Sequence, residues 1–334
     1  MTQLPPRAAF LISLDFELHW GVRERLTVED YKENLLGVRQ AIPAMLRLFE
    51  KYEIHATWAT VGFLFCGSRD ELLASAPEQL PQYDAPSLSP YPQLASVGCN
   101  EAEDPFHFAP SLIDQIAASP HQELGTHTLS HFYCLEGPLD LAALRQDLAA
   151  AQRLAARRRL ELRSIVFPRN QYSAEHLKTC AQLGFTAYRG TESSWIYNGL
   201  SRQAETRARR ALRLLDAYMS LTGNNCFPLS PQSALPCNLP SSRFLRPYSP
   251  VLGLLEPLRL RRILNGLDYA AEHSMAYHLW WHPHNFGVHL PQNLAFLEKI
   301  LMRFSRLRDG CGMASLSMGE MAERLAAAPA AALP

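Results

Sequence analysis

The sequence has no excess of either charge: 32 Lys and Arg residues are matched by 32 Asp and Glu residues. That balance excludes a protein held on nucleic acid by bulk positive charge, and no nucleic-acid partner is expected. Long apolar runs are also missing. The longest early one, Ala8 to Leu14, falls far short of the roughly 20 residues that cross a bilayer. It makes a poor secretory leader as well. Pro5 and Pro6 precede it, Arg7 is the only basic residue before it, no small-residue cleavage site follows, and Asp15 and Glu17 interrupt it. A buried first strand, no transmembrane segment and a cytoplasmic location are expected. Cysteine is sparse and odd in number: the 7 residues include no C-x-x-C pair. A disulfide framework and a structural zinc knuckle are therefore not expected, and reduced, mostly buried thiols are. No internal repeat is present.

What is present is 334 residues with an ordinary 47% hydrophobic content. That is enough chain for an α/β barrel, and it argues against general disorder. The pattern alternates. Strands are predicted at Phe10–Leu14, Ala56–Phe65 (running into a turn), Gln122–Gly125, Ser164–Phe167, Thr186–Arg189 and Met275–Trp281. Helices are predicted at Val28–Tyr52, Leu139–Leu160, Ala174–Leu183, Ser201–Leu221 and Asn293–Leu307. Thr27 or Asp30 is placed to cap the first helix, and Pro43 to kink it. Such alternation implies a parallel sheet wrapped by helices. Two Pro-rich stretches, Glu78–Pro110 and Cys226–Pro250, break the rhythm and read as functional or contact loops. The Ala/Pro-rich end from Ala326 to Pro334 is expected to fray.

The chemistry-bearing residues fall at the C-terminal ends of predicted strands, the edge on which α/β sheets build their sites. Asp15 and Glu17 are two apart, so on a strand they share one face. Two carboxylates beside a buried strand call for a compensating cation, although a glycosidase pair is also open. His127 and His131 are four apart and present two imidazoles to one point if their segment is helical. That donor type suits zinc. Arg169, in Phe167-Pro168-Arg169-Asn170-Gln171-Tyr172, keeps its charge and would pair with a carboxylate or an anion. In His278-Leu-Trp-Trp-His282-Pro-His284-Asn285, strand alternation puts His278, Trp280 and His282 on one face. His282 is the best titrating acid there. His278 reads as a buried partner, and His284 as an orienting, substrate-touching or exposed residue.

Taken in order, these residues resemble the polysaccharide deacetylase family with the NodB homology domain, carbohydrate esterase family 4. Its H-[ST]-x-x-H motif is matched by Glu123, Gly125, His127, Thr128 and His131. Its ATFF-like strand is echoed by Ala56 to Ala59, its R-P-P-Y motif by Arg169 and Tyr172, and its terminal histidine strand by Leu279 to His282. The chain departs in having Asp15-Phe16-Glu17 in place of adjacent aspartates, Asn170 and Gln171 in place of two prolines, and only Trp195 for the Asp-Trp motif. The flavour is that of surface-glycan and O-antigen cluster proteins without a secretion signal.

The resemblance implies a deformed (β/α) barrel, commonly of seven strands, over residues 1–325, with insertions at about 66–120 and 191–255. It implies a divalent metal, most expectedly Zn2+ with Co2+, Ni2+ or Fe2+ as alternatives, on Glu17, His127 and His131. Asp15 would be the base and Arg169 its partner. His282 would be the acid, and the oxyanion would rest on the metal and a backbone N–H near Tyr172. Trp20, Tyr172, Trp281, His284 and Asn285 would meet the substrate, with Trp20, Trp280 and Trp281 as apolar walls. The implied reaction removes an acetyl group, N-acetyl before O-acetyl, from an acetylated sugar or glycan intermediate. Other readings are a hydrolase of a non-sugar amide or ureide and a catalytically inactive glycan-binding homologue. The oligomeric state is not legible in the sequence.

Overall fold

A computed structural model describes residues 6–198, 205–232 and 234–327. The first strand, β1 (Ala9–Phe16), is buried along its whole length. It leads into helix α1 (Val28–Tyr52), where the Thr27 hydroxyl accepts from Asp30 N–H and the Asp30 carboxylate closes a capping box. Pro43 lies inside α1 without ending it. Next come β2 (Ala56–Thr60), α2 (Arg69–Ser75), α3 (Pro110–Ala118) and β3 (Gln122–Thr126). Then follow α4 (Leu141–Arg157), β4 (Ser164–Ile165), α5 (Ala174–Gln182), β5 (Ala187–Tyr188) and α6 (Arg207–Asp216). Three two-residue strands precede the last α/β pairs: β6 (Phe227–Pro228), β7 (Cys237–Asn238) and β8 (Arg243–Phe244). The chain ends with α7 (Glu256–Glu272), β9 (Met275–Trp281), α8 (Leu290–Cys311), β10 (Ala314–Ser315) and α9 (Met318–Ala327).

The sheet runs β6-β9-β1-β2-β3-β4-β5-β7, with β10 added on β1 and β8 on β9. Every pairing is parallel except that of β6 with β9. One segment joins the two edges of the curled sheet. Leu239 and Ser241 N–H donate to Tyr188 and Gly190 beside β5, and Ser242 and Leu245 N–H donate to His278 and Trp280 of β9. The result is the deformed α/β barrel expected.

Strand alternation sorts β1 into two faces. Phe10, Ile12, Leu14 and Phe16 pack outward in the core shared with the helices. Ala9 and Leu11 point inward, where Met318, Met321 and Leu325 of α9 plug the bottom of the barrel. Above them on the same face stand Ser13, Asp15 and then Glu17, all buried. The interior thus changes from apolar to charged along one strand, and the site lies at the C-terminal end.

Several expectations need correction. Helices α2, α3, α7 and α9 and strand β10 were not expected. α3 falls in the stretch read as an insertion, yet it buries Leu112, Ile113 and Ile116; at nine residues and opened by Pro110, it carries too short a stripe to stand out. The helix expected over 201–221 runs from Arg207 to Asp216, and its first four expected residues lie outside those described. α9 extends to Ala327, so of the frayed end only residues 328–334 lie outside the description. All seven cysteines are free thiols. Among the described residues, no helix is long and apolar enough to cross a membrane.

Candidate metal and active site

Glu17, His127 and His131 converge as expected, but by a different backbone route. The residues after β3 are not helical. Thr128 (φ 64°) and His131 (φ 58°) both take left-handed conformations, and the two rings come to 5.0 Å centroid to centroid through a loop. The Asp147 carboxylate from α4 holds that loop. It accepts from Leu129 N–H (2.6 Å), Ser130 N–H (3.2 Å) and the Ser130 hydroxyl (2.5 Å). Gly21 makes room on the other side, since a Cβ there would sit 2.0 Å from the Glu17 carboxyl carbon.

The donor set fits a divalent cation. Glu17 Oε2 lies 3.3 Å from His127 Nε2 and 3.2 Å from His131 Nε2. His127 Nδ1 lies 2.8 Å from the Val166 carbonyl, which can only accept, so Nδ1 carries a proton. The other ring nitrogen, Nε2, then faces the Glu17 carboxylate, an arrangement that asks for a proton or a cation between them. Burial pushes His131 down to about 4, so its ring is neutral at pH 7. Burial raises the Glu17 carboxyl, but the His282 charge and the His127 and His131 hydrogen bonds outweigh it and hold Glu17 well below the usual range. Two imidazoles and one carboxylate, all buried, are a zinc-type donor set.

Asp15 stands beside this triad, and its partner is not Arg169. Arg189, at the end of β5, grips Asp15 in a fork of 2.7 and 2.8 Å, with both residues buried. Trp280 carries the guanidinium on its face at 4.1 Å, and Asn170 and Ser13 accept from it at 3.2 and 3.0 Å. Burial would raise Asp15, yet Arg189 and then the histidines keep it below its ordinary value. Arg169 and Asn170 both have positive φ, which sends the Arg169 side chain away to Glu24 and Glu136. His282 Nε2 lies 3.8 Å from Asp15 and 3.6 Å from Glu17. His284 stacks on its ring at 5.0 Å, and the Asn285 amide stands 3.5 Å from its Nδ1.

These groups line a cavity of about 560 Å³, with Arg169, His284 and Asn285 on its walls. Three expected substrate contacts are not there. Trp20 is fully buried and donates to the His107 carbonyl, and Trp281 is fully buried between Phe49 and Phe286. Tyr172 packs on Phe167 and Tyr188, leaving Arg169 and Asn170 as the wall. Trp280 is the indole that reaches the cavity. Glu123, in the histidine motif, works at the other end of β3, where it accepts from Thr57, Ser164 and Gly319. Arg189 was missed although it ends a predicted strand, the same signal that exposed the others.

No sequence-family model and no curated protein matches this chain. Solved structures match its fold. A candidate polysaccharide deacetylase of Mycobacterium smegmatis matches with a TM-score of 0.59 at 12% identity, over 97% of this chain and 94% of that one. A candidate polysaccharide deacetylase of Pseudomonas aeruginosa PAO1 matches at 0.58 and 11%, over 96% and 91%. PuuE allantoinase matches at 0.53 and 11%, over 96% and 90%. At such identities the likeness establishes the fold, the NodB-like deformed barrel.

Proposed function

We propose that this chain is a metal-dependent deacetylase that removes an acetyl group, N-acetyl before O-acetyl, from a sugar or glycan intermediate. The observation that carries the reading is the convergence of Glu17, His127 and His131 beside a separately held carboxylate, Asp15, and an acid, His282. Glu17 and the two Nε2 atoms would hold the divalent cation, with zinc the best fit to the donors. A bound cation supplies Lewis acidity toward the acetyl carbonyl and toward water. Asp15 is kept ionised by Arg189 and accepts the proton of the attacking water. His282, in its protonated form, gives a proton to the departing nitrogen, which is a poor leaving group until protonated. Trp280 offers an apolar face on the cavity wall. The glycosidase reading loses support because neither carboxylate is free: one is engaged by two histidines and the other by an arginine.

The test is metal content by inductively coupled plasma mass spectrometry together with acetate release from acetylated sugars. His127→Ala is expected to lose metal and activity together. Asp15→Asn is expected to keep the metal and lose at least a hundred-fold in kcat, the usual range for a general base. Near-normal turnover in Asp15→Asn would remove the assigned base. A panel of small amides and ureides separates the alternative substrate class, and metal retention without any turnover would point to a binding homologue.

A further inference from the structure

One wall of the cavity takes no part in the chemistry proposed above. The segment 191–255 contributes Arg210 and Arg213 from α6, Arg243 from β8, and Arg246 just after it. Acids account for only part of this charge. Glu205 lies 2.9 Å from Arg213, and buried Asp216 lies 3.1 Å from Arg243. Arg210 and Arg246 line the cavity with no ion pair or side-chain hydrogen bond to any described residue. Arg243 is 4% exposed, and its Nε and Nη2 have no hydrogen-bond partner among the described residues. Glu192 also faces this wall, but burial pushes its carboxyl up, toward the neutral acid. Burial, reinforced by the Arg259 and Arg213 charges, pushes the Arg246 guanidinium down.

Arg243 is buried and Arg246 half-buried, so guanidinium nitrogens left unpaired there are costly unless something pairs with them on binding, while exposed Arg210 adds a further unpaired charge. One fork satisfies one carboxylate. Several guanidinium groups on one wall match a ligand with several anionic oxygens, and Arg suits phosphoryl oxygens in particular. We propose that the sugar substrate carries a phosphate or diphosphate ester, whose phosphoryl oxygens are held by Arg210, Arg243 and Arg246 across the cavity from the metal site. The word "substrate" rests on the deacetylase reading; the anion site does not.

The test is isothermal titration of Asp15→Asn, in which turnover is blocked, with metal loaded and with metal stripped. The probes are neutral N-acetylglucosamine, its 1-phosphate, its uridine diphosphate ester, its farnesyl diphosphate ester in detergent, and an N-acetylhexosamine uronate. The phosphorylated sugars are expected to bind at least ten-fold tighter than the neutral one, in both metal states. Adding Arg210→Met or Arg246→Met should lower that affinity about ten-fold each, as for loss of one charge-assisted contact. Neither arginine side chain has an ion pair or hydrogen bond with a described residue, and an unchanged melting temperature checks that the variants fold. Equal affinity for the three phosphorylated carriers, or preference for one, supports the proposal and identifies the source of the phosphate. Equal affinity for the neutral sugar or the uronate, no effect of either arginine, or loss of the preference on metal stripping would overturn it. Acetate release by the wild-type protein is scored separately, so its failure sinks the deacetylase and not the anion site.

Discussion

Asp15 illustrates what a buried carboxylate needs in order to stay charged. It is 3% exposed, and burial alone would drive it toward the neutral acid. The Arg189 fork, backed by the Trp280 face and the Asn170 amide oxygen, reverses that. The pair contributes to the site more than to net stability, because two charges have been taken from water to make it. Removing one partner is another matter. Arg189→Met would leave a buried charge without its counterion and is expected to cost about 3–5 kcal/mol in urea unfolding. The double variant Arg189→Met with Asp15→Asn should recover much of that loss, because the stranded charge is gone. If the two changes add without recovery, Arg189 stabilises the fold through packing on Trp280 and not through Asp15.

The elements place the site by aligning strand ends, and the loop after β3 does the finer work. That loop carries both histidines through two left-handed residues, so the Asp147 carboxylate that anchors it sets where the imidazoles meet. Asp147→Ala is expected to leave the ligands in place chemically but to weaken metal binding about ten- to a hundred-fold, as loss of an outer support usually does. Metal competition against a chelator measures this, and unchanged affinity would show that the loop holds itself. The same elements explain what was legible in the sequence. Strands with flanking carboxylates or spaced histidines announce themselves: Glu17, His127 and His282 follow strand ends directly, and His131 is marked by its spacing from His127. Arg189 ends one too, but a lone arginine after a short strand has no spacing partner to mark it. Arg169 sat in a motif that suggested the role, and only its left-handed backbone turns the side chain elsewhere. Trp281 was misplaced for a simpler reason. The alternation that sends His278, Trp280 and His282 inward must send Trp281 outward into the helix layer, where it packs on Phe49. Of the arginine wall, Arg210 and Arg213 lay on the helix expected over 201–221 and Arg243 and Arg246 in a Pro-rich stretch with no period, and which of these side chains meet is decided by long-range packing.

For the whole molecule, the buried histidines make stability depend on pH. Burial, aided by the Arg189 charge, pushes His278 down to about 3, and burial with the His282 charge pushes His284 down to about 3. His278 is fixed in the neutral form by Leu239 and Ser13, at 3.1 and 2.9 Å. Both pKa values are depressed on folding, so between about 6.5 and 3 the unfolded chain binds protons that the folded chain cannot. Stability is therefore fully present above about pH 6.5 and is lost as the pH falls. At pH 5 each histidine withdraws about 2 kcal/mol, from 1.36 kcal/mol per unit over the interval below 6.5. Asp147 opposes them. Burial raises it to about 6 despite the hydrogen bonds it accepts, so the folded state gains a proton first as the pH falls. That returns only about 1 kcal/mol by pH 5, and the histidines prevail against a total stability of about 5–15 kcal/mol. His131 and His19, which burial pushes down to about 4, add to the loss in the same way, so urea unfolding of metal-stripped protein should show several kcal/mol less stability at pH 5 than at pH 7.5. In His278→Asn the same comparison should lose about 2 kcal/mol less, because the asparagine takes up no proton in either state. An unchanged difference between the two pH values in that variant would mean that His278 is not the buried neutral ring that its two hydrogen bonds describe.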